Sequence, residues 1–341
     1  MGSVKDLIVI EKPQNKKPGI GRFKFSDRYS VFDWGEMPDR IEDKGKAICL
    51  VTAYFFEKLE EKGFKTHYLG LLEDGKVKKL KELTKPSDTM EIKLLRVLKP
   101  EIKNERYDYS IYKKERVNFL IPLEIIYRNS LPPGSSVFER LKEGSITPHD
   151  LGIEAEPVPG QILKNPILDV STKLEESDRY IKWEEAKEIA GLNDNELKEI
   201  KEKTLFINDL ITEETKKLGF FNEDGKIEYG FDEERNIIFV DAIGTLDECR
   251  FKYKDIPVSK EIARIYYRKT KWYKEVNEAK KKYKRNWKKY VKSKPEKLPY
   301  ELKKKIEEIY QAYANEITGR KWFEVPPLKE VLENIKNLFS F

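Results

Sequence analysis

The chain has 341 residues, of which 39% are hydrophobic and 38% charged, and a formal net charge of +6; it is long and apolar enough to bury a large core in two or three lobes, which argues against disorder. Two cysteines, Cys49 and Cys249, and two histidines, His67 and His149, argue against a disulfide framework, a cysteine-rich zinc site and Ser-His-Asp chemistry. There is no 18-residue apolar run and no signal-peptide pattern, so a reducing cytoplasm is expected, and the excess of charge over Cys and Met points to a heat-tolerant source.

VKDLIVIEK (4–12) is rich in β-branched residues and predicts a strand; PQNKKPGIG (13–21) predicts a turn and GRFKF (21–25) the returning strand of a hairpin that carries Lys5 and Lys24. KGKAICLVTAYFFEKLEEKGF (44–64) predicts a helix, because Ile48, Val51, Phe55 and Leu59 share one face and Gly63 is placed to end it. KTHYLGLLEDGKVKKL predicts a strand and a Glu-Asp-Gly turn. MEIKLLRVLKP (90–100) and RVNFLIPLEIIYR (116–128) predict further strands, with charged EIKNERYDYSIYKKE between them as a surface insertion. Gly and Pro punctuate 134–180, which reads as irregular. WEEAKEIAGL (183–192) predicts a short helix and 193–220 a longer one, with Asn193 or Asp194 as N-cap. GKIEYGFDEERNIIFVDAIG (225–244) predicts a hairpin whose buried second strand ends in Asp241. From 259 onward the pattern is helical, closing with an amphipathic helix over 328–341.

Strand-rich, then mixed, then helical segments predict an α+β fold of two lobes with a cleft between them. The expected divisions are a β-rich lobe over 1–116 that covers a nucleotide, a central α/β lobe over 117–258 with the metal and substrate site, and a helical region over 259–341. Residues 266–297 hold 14 Lys/Arg against three Glu, so the basic character is local. In that segment Trp272, Val276, Ala279, Tyr283, Trp287 and Tyr290 fall on one helical stripe, which predicts packing against the body or a second subunit more than nucleic-acid binding.

Polar residues at predicted strand ends carry the chemistry. Glu228 and Asp241 lie on consecutive strands, where a hairpin could bring two carboxylates to one mouth for magnesium, or leave Glu228 a solvated strand residue and Asp241 a turn residue. Arg128 is expected to emerge at a strand end after LEIIY, close to the small residues of PPGSS and Ser135, and with Arg250 it offers guanidinium groups for phosphate or for surface salt bridges. STKLEESD (171–178) reads as a helix N-terminus or as a polar pocket.

The order of these blocks resembles the SAICAR synthetase (phosphoribosylaminoimidazole-succinocarboxamide synthase) family along nearly the whole chain. GSVKD (2–6), SDRYSVFD (26–33), KGKAICLVTAYFFEKLEEKGFKTHY, IPLEIIYRN followed by GS, NPILDVSTKLEESD, DGKIEYG and DAIGTLDECRF resemble the family's motifs in sequence, and SKEIAR (259–264) and 298–322 its C-terminal helices. The resemblance implies an ATP-dependent ligase that joins L-aspartate to the ribonucleotide carboxylate CAIR through an acyl phosphate. By resemblance, Glu228 and Asp241 are metal carboxylates at the ATP site, and Lys5, Lys173 and Lys226 lie near the nucleotide phosphates and transferring group. Arg128, Ser135 and Arg250 match the cradle for the ribose phosphate of CAIR, which Lys260 and Arg264 extend; Asp33 and Asp178 match polar residues of the cleft. Adenine is expected near Val9, Val97 and Leu98. The implied cofactors are ATP and Mg²⁺ and the implied partners small molecules, with no membrane and no nucleic acid; a homo-oligomer is open. Departures from the family pattern fall at Ser3, Ser177, Ala242, Leu246 and Lys252, and leave a paralogue that ligates or phosphorylates another carboxylate as the alternative. The third reading is RNA binding through 266–297.

Overall fold

The computed structural model describes residues 4–104, 106–283 and 286–338; Ser3, one of the departures, lies outside them. The predicted hairpin is present, with β1 (Lys5–Glu11) antiparallel to β2 (Gly19–Phe25). Helix α1 (Lys44–Glu61) buries Ile48, Val51, Phe55 and Leu59 together with Leu50, Ala53 and Phe56, so it is enclosed on most of its circumference. Gly63 follows at φ 83°, a left-handed value that glycine takes without strain. β3 (Tyr68–Glu73) and β4 (Lys76–Lys78) are joined by Asp74–Gly75, both at positive φ, the two-residue turn whose twist suits paired strands. β5 (Thr89–Leu94) inserts between β2 and β3 and completes a five-stranded sheet of order β1-β2-β5-β3-β4. The charged stretch after it forms a small hairpin, β6 (Glu101–Lys103) with β7 (Arg106–Asp108), and the single-turn helix α2 (Ser110–Lys114).

The second sheet begins with β8 (Phe119–Leu131). Residues 134–180 are more regular than expected: Ser136–Lys142 is helix α3 and Gln161–Thr172 is strand β9. Pro166 argues against a strand in the sequence, but β9 is at the edge of the sheet and pairs only with β8, where a missing N–H is tolerated. The same strand corrects the helix-terminus reading of STKLEESD: Ser171 and Thr172 end β9, and the rest is a bend. Helices α4 (Trp183–Ala190) and α5 (Asp194–Lys216) follow, the latter capped by Asn193, whose side chain accepts from the Glu196 N–H while Glu196 bonds back to the Asn193 N–H.

β10 (Phe220–Phe231) starts five residues earlier than the sequence pattern predicts, so Asp224 is already in the strand. It runs along β8 on one side; on the other it pairs with β11 (Ile237–Val240) at its end and β12 (Cys249–Tyr253) at its start, and β13 (Ile256–Pro257) lies beyond β12. The resulting order is β13-β12-β10-β8-β9.

Helices α6 (Glu261–Arg268), α7 (Lys271–Lys282), α8 (Tyr300–Thr318) and α9 (Leu328–Leu338) complete the chain. The basic segment is not one long helix: α7 ends at Lys282, Tyr283 is extended, and after Asn286 (φ 56°) a short 3-10 turn, Trp287–Tyr290, folds back so that the Tyr283 and Tyr290 rings stack 3.6 Å apart. Trp272, Val276 and Ala279 are buried within this same chain, as the packing reading expects; Tyr290 is exposed. Both cysteines are free and buried. Among the described residues no helix is long and apolar enough to cross a membrane.

Candidate active site

Strand alternation sets up the site. Asp224, Lys226 and Glu228 occupy every second position of β10 and so share one sheet face, while Gly225, Ile227 and Tyr229 turn into the core. On β8, Glu124 stands opposite Glu228 and Arg128 opposite Asp224; on β12, Arg250 stands opposite Asp224. Basic and acidic groups that are far apart in sequence therefore form a ladder across three strands.

One end of the ladder is a lysine–carboxylate cluster. Lys173, just past β9, bonds Glu124 at 3.0 Å and Glu228 at 2.5 Å. Lys226 lies 2.9 Å from Glu124, 3.4 Å from Glu248 and 3.6 Å from Glu228. Lys5, from β1, pairs with Asp241, which follows β11 at a left-handed φ of 68°. Burial and then the charge of Asp241 push the Glu228 carboxyl up to about 7, against Lys173 and Lys226. Burial would also raise Asp241, but Lys5 and Lys173 hold it well below the usual carboxylate range. Lys226 is desolvated, yet Glu248 and Glu124 keep it protonated far above neutral pH.

Glu228 and Asp241 are the residues that could hold a divalent cation. Their mutual repulsion in a buried setting is what such an ion relieves, and magnesium needs only one or two protein carboxylates when nucleotide phosphates complete its shell. Among the described residues no cluster of three His, Cys, Asp or Glu is arranged as a self-sufficient metal cage.

The other end is an arginine cluster. Arg128, 2% exposed, reaches Asp169 at 3.1 Å, Asp224 at 3.3 Å and the Ser136 hydroxyl at 3.2 Å. Arg250 grips the same Asp224, its Nε donating to Oδ1 at 2.7 Å, and Arg140 donates to Asp169 at 2.5 Å. Ser135 is buried and its hydroxyl accepts from the Val137 N–H. Gly134 passes so close to α6 that a Cβ there would lie 3.2 Å from Arg268 and 4.0 Å from Glu261. Arg264 and Arg268 both pair with Glu261, whereas Lys260 makes no ion pair among the described residues; burial and then Arg264 depress its pKa.

Asp33 and Asp178 are both exposed; the charges that act on Asp33 are Lys280, then Arg264 and Lys260, and those that act on Asp178 are Glu124, Lys226 and Asp33. Desolvation, then Glu124, raises Asp178 to about 6. Val9 and Val97 are exposed and Leu98 is buried; Lys24 pairs with Asp88 at 3.4 Å.

Sequence reasoning did not select Glu124, Asp169, Arg140 or Glu248. Glu124 sits inside an apolar strand run and gains its role only from register with Glu228. The odd charged residue in a buried strand was the available signal. His67 also lies here, packed edge-on to Phe23 and Phe56 below Lys5; burial lowers its pKa to about 3, so it stays neutral.

A model of the SAICAR synthetase family matches residues 2–290. A protein of Archaeoglobus fulgidus is 53% identical over 340 residues, covering 100% of both chains. Among solved structures, the Saccharomyces cerevisiae SAICAR synthase complexed with SAICAR superposes with a TM-score of 0.65 at 21% identity, covering 94% of each chain. A type-2 SAICAR synthetase in complex with ADP gives a TM-score of 0.56 at 23% identity, covering 87% of this chain and 99% of the other.

Proposed function

From the premise that the chain belongs to the SAICAR synthetase family, we propose that it joins L-aspartate to the carboxylate of CAIR with ATP, giving SAICAR, ADP and phosphate. The observation that supports this most is the single sheet face on which Lys173, Lys226, Glu228 and Asp241 converge with Arg128 and Arg250 around Asp224. Phosphoryl transfer and recognition of a phosphorylated carboxylate need these two groups side by side.

A carboxylate resists amines until one oxygen becomes a leaving group. The CAIR carboxylate oxygen attacks the γ-phosphorus and ADP departs; the aspartate amine then attacks the acyl carbon and phosphate leaves. Lys173 and Lys226, pinned by Glu124, are assigned to the transferring phosphoryl group, and Lys5 to the nucleotide phosphates. Arg128, Arg250 and Ser135 are assigned to the ribose phosphate, extended by Lys260 and Arg264. Asp178, with its raised pKa, is assigned to take a proton from the aspartate ammonium, and Asp33 to accept hydrogen bonds from substrate. Glu228 and Asp241 would hold Mg²⁺, which when bound screens the charged phosphate oxygens. Residues 1–116 are assigned as the cover over the nucleotide, with Val9, Val97 and Leu98 toward adenine, 117–258 as the lobe that carries the metal and substrate groups, and 259–341 as the helical region behind them. The setting is assigned as cytoplasmic.

Release of ADP tests the reading. Over many turnovers it should require CAIR and aspartate together, while CAIR alone gives at most one ADP per site. Release with neither, but with another carboxylate and amine, would replace this assignment by that of a paralogue.

A further inference from the structure

The basic segment 266–297 takes no part in the reaction as assigned, yet α7 reaches the cleft. Phe32 and Asp33 are consecutive left-handed residues, at φ 55° and 56°. Non-glycine side chains seldom adopt that conformation, and an aromatic one less so, unless surrounding structure imposes it. Here the C-terminal arm imposes it. The Phe32 ring lies 4.5 Å from Tyr273 and 6.2 Å from Trp272, and Trp34 lies 5.4 Å from Trp272 and 6.1 Å from Trp287. Lys280, near the end of α7, donates to the Asp33 carboxylate at 2.6 Å.

That ion pair is poorly suited to stabilising the fold, because the Asp33 side chain is 85% exposed and solvent screens the attraction. Buried Trp272 and Val276 already anchor α7. What the pair does is aim a carboxylate. The Asp33 carboxylate stands mostly in solvent, and Lys280, followed by Arg264 and Lys260, lowers its pKa, so it is ionised and able only to accept hydrogen bonds. Arg264 and Lys260 are the groups assigned to the CAIR phosphate, so this carboxylate stands at the substrate end of the cleft.

We infer that α7 is a wall of the substrate cleft and that Lys280 is a positioning residue, which fixes the strained Phe32–Asp33 turn so that Asp33 meets hydrogen-bond donors of the substrate. The inference rests on the ligase reading and adds to it a residue from a segment with no assigned chemistry.

Steady-state kinetics and CAIR calorimetry on Lys280→Met, Lys280→Arg, Asp33→Asn and the Lys280→Met/Asp33→Asn double variant test it. Lys280→Met should raise the CAIR KM and Kd about tenfold, with kcat changed far less and the melting temperature held. Lys280→Arg should recover most of the loss. In the Asp33→Asn background Lys280→Met should add nothing, because its effect runs through Asp33. Calorimetry still reports if Asp33→Asn is inactive. A Lys280→Met enzyme within twofold of wild type, or one that loses as much with Asp33→Asn as without it, overturns the positioning role alone. A wild-type protein that makes no SAICAR removes the ligase reading and this inference with it.

Discussion

Glu124 and Glu228 face each other across β8 and β10, and one ammonium group, that of Lys173, bonds both. Two buried carboxylates at this separation repel, and each is tolerable only because lysines lie between them. Glu124 also holds Lys226, so it orients both lysines assigned to the transferring phosphoryl group. Glu124→Gln keeps shape and volume but removes the charge that fixes them. Turnover should fall about a hundredfold, the scale of a misplaced transition-state contact, with a smaller change in ATP affinity. Single-turnover measurement of ADP formation reads this directly, and an unaltered rate would mean the lysines do not depend on Glu124.

Asp241 carries a second expectation. It is held ionised by Lys5 and Lys173 and sits beside Glu228. Asp241→Asn should lose about a hundredfold or more in magnesium-dependent turnover while the melting temperature moves little, since losing the pair with Lys5 is offset by relief of the repulsion with Glu228. Titrating Mg²⁺ separates the possibilities. A rate restored by excess metal points to weakened binding, and one that never recovers points to lost orientation. Full activity at low Mg²⁺ would remove Asp241 from the metal site.

Arg250 and Arg128 should respond differently to truncation although they share Asp224. Arg250, with a side chain 17% exposed, borders the cleft; Arg128, at 2%, is enclosed. Arg250→Ala should weaken CAIR binding by about 2 kcal/mol, the worth of a charged hydrogen bond, and leave the fold in place. Arg128→Ala should weaken CAIR binding by a similar amount but also destabilise the protein by about 3 kcal/mol, because it strips one partner each from buried Asp169 and Asp224. Calorimetry with CAIR and thermal melts on both variants check the contrast. Equal melting temperatures would show that Arg140 and Arg250 neutralise those aspartates unaided.

Much of this site is legible in the chain, and the part that is not has a physical reason. Lys226 and Glu228 alternate in KIE, and alternation on a strand puts them on one face whatever the partner strands are; Asp224 is not legible this way, because the sequence pattern starts the strand only at Gly225. Asp241 ends an apolar run, so its exit can be read locally; Arg128 does not emerge at a strand end as its sequence suggests, because β8 continues to Leu131 and encloses it at 2% exposure. Glu124 and Asp169 cannot be found this way, because their importance lies in which residue stands across the sheet, and register is a property of pairing. β9 is concealed by Pro166, which only an edge position accommodates. The aromatic spacing through 272–290 is helical, but Asn286 at φ 56° turns the chain back, so a periodic stripe spans two elements. Nothing in SDRYSVFD announces that Asp33 would be held by Lys280, 247 positions away.

The pH profile offers the sharpest test of the amine-transfer step. Asp178 stands at about 6, above its usual 3.8, first through desolvation and then through Glu124. Because the folded-state pKa is the higher one, protonation of Asp178 favours the folded state at low pH, and that contribution disappears as pH rises from about 4 through about 6. Activity should run the other way. The carboxylate must be ionised to take a proton from the aspartate ammonium, so kcat/KM for aspartate should fall tenfold per pH unit below about 6. In Asp178→Asn that acidic limb should be lost along with most of the rate, and ADP release from the first half-reaction should survive better than amide formation. If the variant keeps the wild-type limb, the titrating group is another one. Glu228, pushed to about 7 beside the phosphoryl lysines, is then the next residue to replace.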